Sequence, residues 1–504
     1  MGFESHVGVG AAGGDDVGAK GQIRHEVAVH DVPLDAVDSR FSELATLLAE
    51  IRKVGGKNRG NDFDRASHEL TLEGAIGEAT YPAIVTTNRR ARASIQPTAS
   101  DVEPTTLEVV LDRPADSGAA VARDETGRVV FAHGGLAGET VRVELATEKK
   151  SFARGHVVEV LNASPDRQQP ECPTHSAGCG GCDLAHAKSP AQTGIKHHVV
   201  RDALIRIGRI DADAVDEALA SGASVQHSTI PDRYRTTVRL GVDAGRVGYR
   251  KQRSNVVVAP DVCTVAHSRL EELISAVRVD TGGGDEVMLR VSAHTDQAVV
   301  ATNGDPSAVS TGPFTADVVS RDDMAGHITE LAGGQIFQVA ARSFFQAGPE
   351  VATALVDAVR HATGAVDQLR VVDAYAGVGL FAATVGHQAK KIVAIEQSTS
   401  ATADAQVNLA DLNAEIVIAS VDEWSVQPAD IVIADPSRAG LGSTGVEVLA
   451  STGAHRFVLV SCDTGALGRD VGLLLQAGFA LDSAQIIDAF RNTSHVETVV
   501  ELTR

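Results

Sequence analysis

The apolar positions of this 504-residue chain change their rhythm along its length. Through about Pro104 they keep no steady period. Leu44, Leu47, Leu48 and Ile51 stand at i, i+3, i+4 and i+7, which predicts one amphipathic helix stopped by Gly55-Gly56. Gly-rich, Asn/Arg-rich and Thr/Ser/Pro stretches surround it. Residues 1–104 therefore read as an extension, disordered for the most part, and no function is assigned to them. From Leu107 short apolar runs appear, at Leu107–Leu111, Arg128–Ala132, Val141–Leu145 and His156–Leu161, split by Gly-rich turns. Strands at this spacing predict a small β-barrel over 105–163.

The next block, 164–340, mixes a helical stretch near His197–Ile207 with strands around Tyr234–Leu240 and Val256–Ala259, an α+β pattern. After Ser343 the rhythm becomes α/β. Pro349 opens a helix carrying Val351, Leu355 and Val359, and Gly364 closes it. Strands Leu369–Ala374, Ile392–Ile395, Ile431–Ala434 and Phe457–Ser461 alternate with helices. Paired strands follow near Ala484–Phe490 and Val496–Leu502. Residues 341–504 thus predict a doubly wound, Rossmann-like sheet.

Composition adds limits. Apolar residues make up 43 % of the chain but aromatics only 4 %, so Ala, Val and Leu must fill the core. No apolar run approaches the length of a membrane-spanning helix. The first residues lack the basic and apolar regions of a secretory signal, so a cytoplasmic, reducing setting is expected. Five cysteines are then expected to bind metal or react rather than form disulfides. Forty-five basic against 66 acidic residues give a net charge of −21, so any nucleic-acid partner must be read from local charge. Arg233, Arg235, Arg239, Arg246, Arg250, Lys251 and Arg253 supply that charge against one acid, Asp243, with Tyr234 and Tyr249 available to stack a base.

Three cysteines cluster as C-x6-C-x2-C at Cys172, Cys179 and Cys182, and Cys263 is a fourth. Four thiolates suit an iron–sulfur cluster or a structural zinc, and the three-plus-one spacing favours the cluster. Asp373-Ala-Tyr-Ala-Gly-Val-Gly379 is a strand end followed by a G-x-G turn, and the next strand ends in an acid, Glu396. An acid there can take both ribose hydroxyls of a nucleoside. With no cation cluster for a pyrophosphate, S-adenosylmethionine fits better than NAD. Asp435 projects at the end of a third strand, where its carboxylate can take a base edge or an amino group. Phe344-Phe-Gln346 precedes the Pro349 helix. Cys462 follows a fourth strand at the edge where open α/β sheets bind ligands. His495 and Glu497 alternate on a late strand and line either a pocket or a solvated face.

The ordered set of these motifs, over nearly 400 residues, resembles the S-adenosylmethionine-dependent RNA 5-methyluridine methyltransferases. The resemblance implies three domains: an OB-type TRAM barrel that binds RNA, a central domain with a [4Fe-4S] cluster on Cys172, Cys179, Cys182 and Cys263, and a methyltransferase domain. It implies Cys462 as nucleophile toward uracil C6 and Glu497 as the base that removes the C5 proton. It gathers Gln346, Tyr375, Glu396 and Asp435 around the cofactor. The branch with a TRAM domain and four cysteines favours ribosomal RNA, with the same chemistry on a tRNA uridine as the alternative, and a monomer is expected. Asp463-Thr464 stands where the family has Asn-Pro, Ser437 where a second proline is common, and Phe490-Arg-Asn-Thr493 where the family has Phe-Pro-x-Thr, so loop shape departs from the pattern. The rival readings are a non-catalytic RNA-binding protein, a radical S-adenosylmethionine enzyme, and a small-molecule methyltransferase with a zinc site.

Overall fold

The structure, a computed structural model, describes residues 105–222, 230–252, 254–260, 262–323 and 326–504. The helix expected at Leu44–Ile51 and Arg253 lie outside the described residues. Strands β1 (Thr106–Val110), β2 (Arg113–Pro114), β3 (Ala119–Arg123), β4 (Val129–His133), β5 (Thr140–Glu148) and β6 (Phe152–Asn162) form one sheet in the order β1-β5-β6-β4-β3-β2. The period-2 alternation buries Val141 and Val143 of β5 on the face that also carries Val109, Ala120, Ala122, Val130, Ala132 and Ala153.

A second sheet runs β13-β10-β8-β7-β11-β12-β14, with β9 on β8. Its strands are β7 (Thr237–Asp243), β8 (Arg246–Arg250), β9 (Val257–Val258), β10 (Arg278–Val279), β11 (Glu286–Val291), β12 (Ala298–Thr302), β13 (Val309–Ser310) and β14 (Asp317–Ser320). Leu270, Leu273 and Ile274 of the helix Ser268–Ala276 cover Val238, Leu240, Val287 and Leu289. The hairpin β15 (His327–Ala332) and β16 (Gln335–Ala340) follows.

The last sheet contains β17 (Arg370–Ala374), β18 (Lys391–Glu396), β19 (Ala414–Ile418), β20 (Ile431–Ala434), β21 (Arg456–Ser461), β22 (Ala480–Ile487) and β23 (Glu497–Thr503). The order is β19-β18-β17-β20-β21-β23-β22. β17 to β21 are parallel, and β23 is antiparallel to both of its neighbours. Every residue of β20 is buried, as expected of a central parallel strand covered on both faces. The strand order reverses between β17 and β20, which opens a crevice at their carboxyl ends.

Helices Ser189–Arg206 and Ala212–Gly222 fall in the stretch that sequence position assigned to the central domain, yet they pack on this last sheet. Val200, Leu204, Val215, Ala218 and Leu219 share a core with Val432, Phe457, Leu459 and Ala484. Val215, Ala218, Leu219 and Gly222 make a stripe at helical spacing. At Gly222 a Cβ would come within 2.0 Å of the Ala484 carbonyl oxygen, so the missing side chain lets helix and strand touch. No described helix is long and apolar enough to cross a membrane.

Candidate active site

The strand ends bring the expected residues to one edge. Glu396 closes β18, Asp435 follows β20 and Cys462 follows β21. Because β23 runs the other way, its first residue, Glu497, lies at the same edge. Ser461 pairs with Thr498, so one further step brings Glu497 opposite Cys462.

The turn after β17 is tight and leaves open space beside its backbone. Tyr375, Gly377 and Gly379 all have left-handed backbone, with φ of 63°, 57° and 89°. The space that a Cβ would fill at Gly377 is open. The Gly377 N–H donates to Glu396 Oε2 at 3.0 Å, and Ser398 N–H donates to Glu396 Oε1 at 2.7 Å. These bonds fix the carboxylate at the rim of the turn while leaving lone pairs for hydroxyl donors. The Tyr375 side chain is half-buried, and its hydroxyl lies over Gly445. Gln346 Nε2 donates to Asp435 Oδ2 at 3.2 Å. Asp373, fully buried, accepts the Ala382 N–H on Oδ2 at 2.8 Å and has no partner on Oδ1. Burial holds the Asp373 carboxyl up to about 7, and the nearby charges of Asp435 and Glu396 add to the shift.

Around Cys462 the charges are tightly interdependent. Burial pushes the thiol up to about 12, Glu497 and Asp435 push the same way, and Arg438 opposes them. Glu497, 4 % exposed, is held well above the usual carboxyl range by burial and then by Asp435, with Arg438 opposing, and its Oε2 has no partner. Asp435 is held up to about 7 by burial, with the Gln346 bond opposing. His495 is exposed while Glu497 is buried, so the two do not form one solvated face.

Cys172, Cys179 and Cys182 lie on one stretch of the central segment, and Cys263 lies on a second stretch beside it. Cys182 lies close enough to Cys263, Cys179 and Cys172 for each to raise its thiol, although burial is the larger cause of its rise to about 12. Thr174 Oγ1 donates to the Val262 carbonyl at 2.7 Å, tying the first loop beside Cys263. Among the described residues, no group of three or more His, Cys, Asp or Glu side chains is gathered closely enough to hold a metal ion.

The two tyrosines expected to stack on RNA are turned inward. Tyr234 is 1 % exposed and meets Phe490 edge-on, with ring centres 6.5 Å apart. Tyr249 Oη lies 3.2 Å from Cys263 Sγ. Tyr234 precedes β7 and Tyr249 lies on β8, and both segments pack on one core that takes these large rings. Arg233 pairs with Glu271, and Arg235 lies 5.7 Å from the Tyr234 ring. Arg239 and Arg250 remain at the surface. Together with Arg321 they share one carboxylate, Glu286, which leaves the patch positive.

Comparison with known proteins agrees with this architecture. The TRAM domain model matches residues 103–158. An uncharacterized RNA methyltransferase of Corynebacterium glutamicum is 31 % identical over 405 residues, covering 78 % of this chain and 95 % of the relative. One of Streptomyces coelicolor is 32 % identical over 424 residues, covering 78 % and 92 %. The chain belongs to this RNA methyltransferase family. Among solved structures, the Pyrococcus abyssi tRNA (uracil-54, C5)-methyltransferase in complex with S-adenosyl-L-homocysteine matches with a TM-score of 0.59 and 23 % identity. That match covers 79 % of this chain and 99 % of the other, and shows a shared fold.

In this RNA methyltransferase two further residues at the edge, Asp373 and Arg438, carry charge that the sequence pattern alone assigns no role. Asp373 opens the motif Asp373-to-Gly379, and Arg438 stands three residues after Asp435 in Asp435-Pro-Ser-Arg438. Their charge coupling to Asp435, Glu396, Cys462 and Glu497 becomes visible only once the strand ends are side by side.

Proposed function

We propose that this RNA methyltransferase transfers a methyl group from S-adenosylmethionine to C5 of a uridine, through a covalent adduct between Cys462 and uracil C6. The observation that carries the reading is the pairing of Ser461 with Thr498, which sets Glu497 beside Cys462 at the carboxyl edge of the sheet, near enough to raise its thiol. Uracil C5 is a weak nucleophile. When Cys462 adds to C6, the C4–C5–C6 system becomes an enolate, and C5 gains the electron density to attack an electrophilic methyl. S-adenosylmethionine, when bound, supplies that methyl on a sulfonium. Glu497 then takes the C5 proton, the C5–C6 double bond re-forms, and the C6–S bond breaks to return the Cys462 thiolate.

A thiol raised to about 12 does not ionise by itself at neutral pH, so Cys462 needs a neighbouring base to take its proton. The adjoining carboxyls take that proton and pass it to solvent before methyl transfer, so that Glu497 is ionised when the C5 proton leaves, and Arg438 stabilises the thiolate. The cofactor fits the turn through the open space at Gly377, the fixed Glu396 carboxylate and the Gln346–Asp435 pair. Tyr375 contributes the left-handed backbone that bends the turn.

RNA is held by the TRAM segment and the surplus arginines of the second sheet. Two adjoining hollows support this. One, of about 340 Å³, is bounded by His133, His156, Arg167 and His175. The other, of about 400 Å³, is bounded by Arg250, Lys251 and Asn255, and Gly180 and Gln252 line both. Ribosomal RNA is the substrate we favour, on the combination of TRAM domain and four cysteines. For the cysteines we propose a [4Fe-4S] cluster. Four thiols are the donor set such a cluster takes, and Cys172, Cys179 and Cys263 each lie near enough to Cys182 to raise its thiol. Mapping 5-methyluridine in the RNA of a strain lacking the gene tests the substrate. A ribosomal uridine that loses its methyl supports the reading, and a tRNA uridine that does so replaces it.

A further inference from the structure

The turn Asp116–Gly118 of the first sheet reaches into the framework behind both reacting side chains. Asp116 Oδ1 accepts a hydrogen bond from Thr464 Oγ1 at 3.0 Å. Thr464 opens the helix Thr464–Gln476, two residues after Cys462, and is buried. Ser117 and Gly118 both have left-handed backbone, with φ of 60° and 70°. At Gly118 a Cβ would stand 2.4 Å from Asp183 Oδ2 and 3.4 Å from Ser494 Cβ. The turn therefore closes directly over the pair Asp183–Ser494.

Asp183 grips that pair twice. Its Oδ1 accepts the Ser494 N–H at 2.8 Å, and its Oδ2 accepts the Ser494 hydroxyl at 2.6 Å. The neighbouring Leu184 N–H donates to the Asn492 carbonyl at 2.9 Å. Gln192 and Asn492 exchange two bonds, of 3.0 and 2.8 Å. Lys196, with no solvent exposure, donates to the Asp488 carboxylate and, at 2.9 Å, to the Phe490 carbonyl. The chain from Asp488 to Ser494, which joins β22 to β23, is thus held along its length by Asp183, Leu184, Gln192 and Lys196. That connection delivers Glu497. Glu497 Oε2 has no hydrogen-bond partner, so the entry of β23 does much of the work of aiming the carboxyl.

We infer that Asp183, braced by the turn at Gly118, is a positioning residue for removal of the C5 proton by Glu497. The inference rests on the uracil reading above. The Asp183–Ser494 bonds serve the Glu497 side, whereas the bond to Thr464 on the Cys462 side comes from Asp116, so loss of the Asp183 grip separates the two halves of the reaction. Addition and methylation proceed, and elimination slows.

The test uses the full chain and RNA from a strain lacking the gene, grown on [5-³H]uridine. Release of tritium reports C5 proton removal, and a slow-migrating band on a denaturing gel reports the Cys462 adduct. Asp183→Ala and Gly118→Ala are expected to slow tritium release about 10- to 100-fold, the scale of a misplacement near 1 Å, and to accumulate the adduct. Asp183→Asn, which keeps an acceptor for the Ser494 N–H, is expected to recover much of the rate. Tritium release at the wild-type rate in Asp183→Ala overturns the inference. So does loss of adduct, tritium release and thermal stability together in both alanine variants, because that pattern marks a fold defect. If the wild-type chain releases no tritium, the uracil reading fails, and this inference falls with it.

Discussion

Gln346 Nε2 donates to Asp435 Oδ2 over 3.2 Å and joins the segment leading into the helix Pro349–Thr363 to the loop after β20. This bond draws the Asp435 carboxyl down against burial, and burial still holds that carboxyl up to about 7.

This has a consequence for stability. The folded chain keeps a proton on Asp435 that the unfolded chain releases above its ordinary value of 3.8. Stability therefore falls as pH rises from that value through about 7. Asp435→Asn removes the loss. Its Tm is expected to exceed that of the wild type at about pH 8, with the gap closing near about pH 4, while methyl transfer is lost. Differential scanning calorimetry at the two pH values checks this. A Tm below that of the wild type at the higher pH would contradict it.

Arg438 opposes the shifts of both Cys462 and Glu497. Without it the thiol pKa rises further, and less thiolate is available at neutral pH. Arg438→Ala is expected to slow adduct formation about 10-fold, the effect of one pKa unit, and to regain part of the rate as pH is raised. Quench-flow measurement of the adduct between about pH 7 and pH 9 reads both effects.

Much of this site was legible before the fold was known, because its residues sit at strand ends and strands are written in the apolar pattern. Glu396, Asp435 and Cys462 each follow a run of buried aliphatic residues, and parallel strands put such ends on one edge. Glu497 was named from the resemblance. The antiparallel sense of β23, which makes its first residue meet Cys462, is a property of pairing that alternation alone does not carry. The inward turn of Tyr234 was illegible for a similar reason. Tyr234 lies in the link before β7, where no alternation fixes a face, and its ring is received by Phe490, far along the chain. The packing of helix Ala212–Gly222 on β22 likewise depends on a contact with Ala484 that no local pattern announces.

Glu396 takes its bonds from Gly377 and Ser398, and its free lone pairs face the turn. Glu396→Ala is expected to weaken S-adenosylhomocysteine binding by at least about 10-fold, the loss of a charge-assisted hydrogen bond. Isothermal titration calorimetry measures it. An unchanged affinity would move the ribose site elsewhere.

Protein purified without oxygen is expected to be brown and to hold about four irons per chain on Cys172, Cys179, Cys182 and Cys263. Metal analysis of the purified chain decides between this and a colourless protein with one zinc, which would contradict the cluster.

Cys462→Ala is expected to abolish methyl transfer, since C5 stays unreactive without addition at C6. Glu497→Gln is expected to methylate once and stall as a covalent RNA adduct, because C5 proton removal slows. The double variant should show no adduct. A Glu497→Gln enzyme that turns over normally and traps nothing would send the search for the base to His495.

The most direct measurement is the identity of the methylated nucleoside. The wild-type chain is incubated with methyl-labelled S-adenosylmethionine and RNA from a strain lacking the gene, and the RNA is digested and separated by mass spectrometry. The account predicts label in 5-methyluridine, absent with Cys462→Ala. Label in any other nucleoside, or 5-methyluridine formed by Cys462→Ala at the wild-type rate, would contradict it.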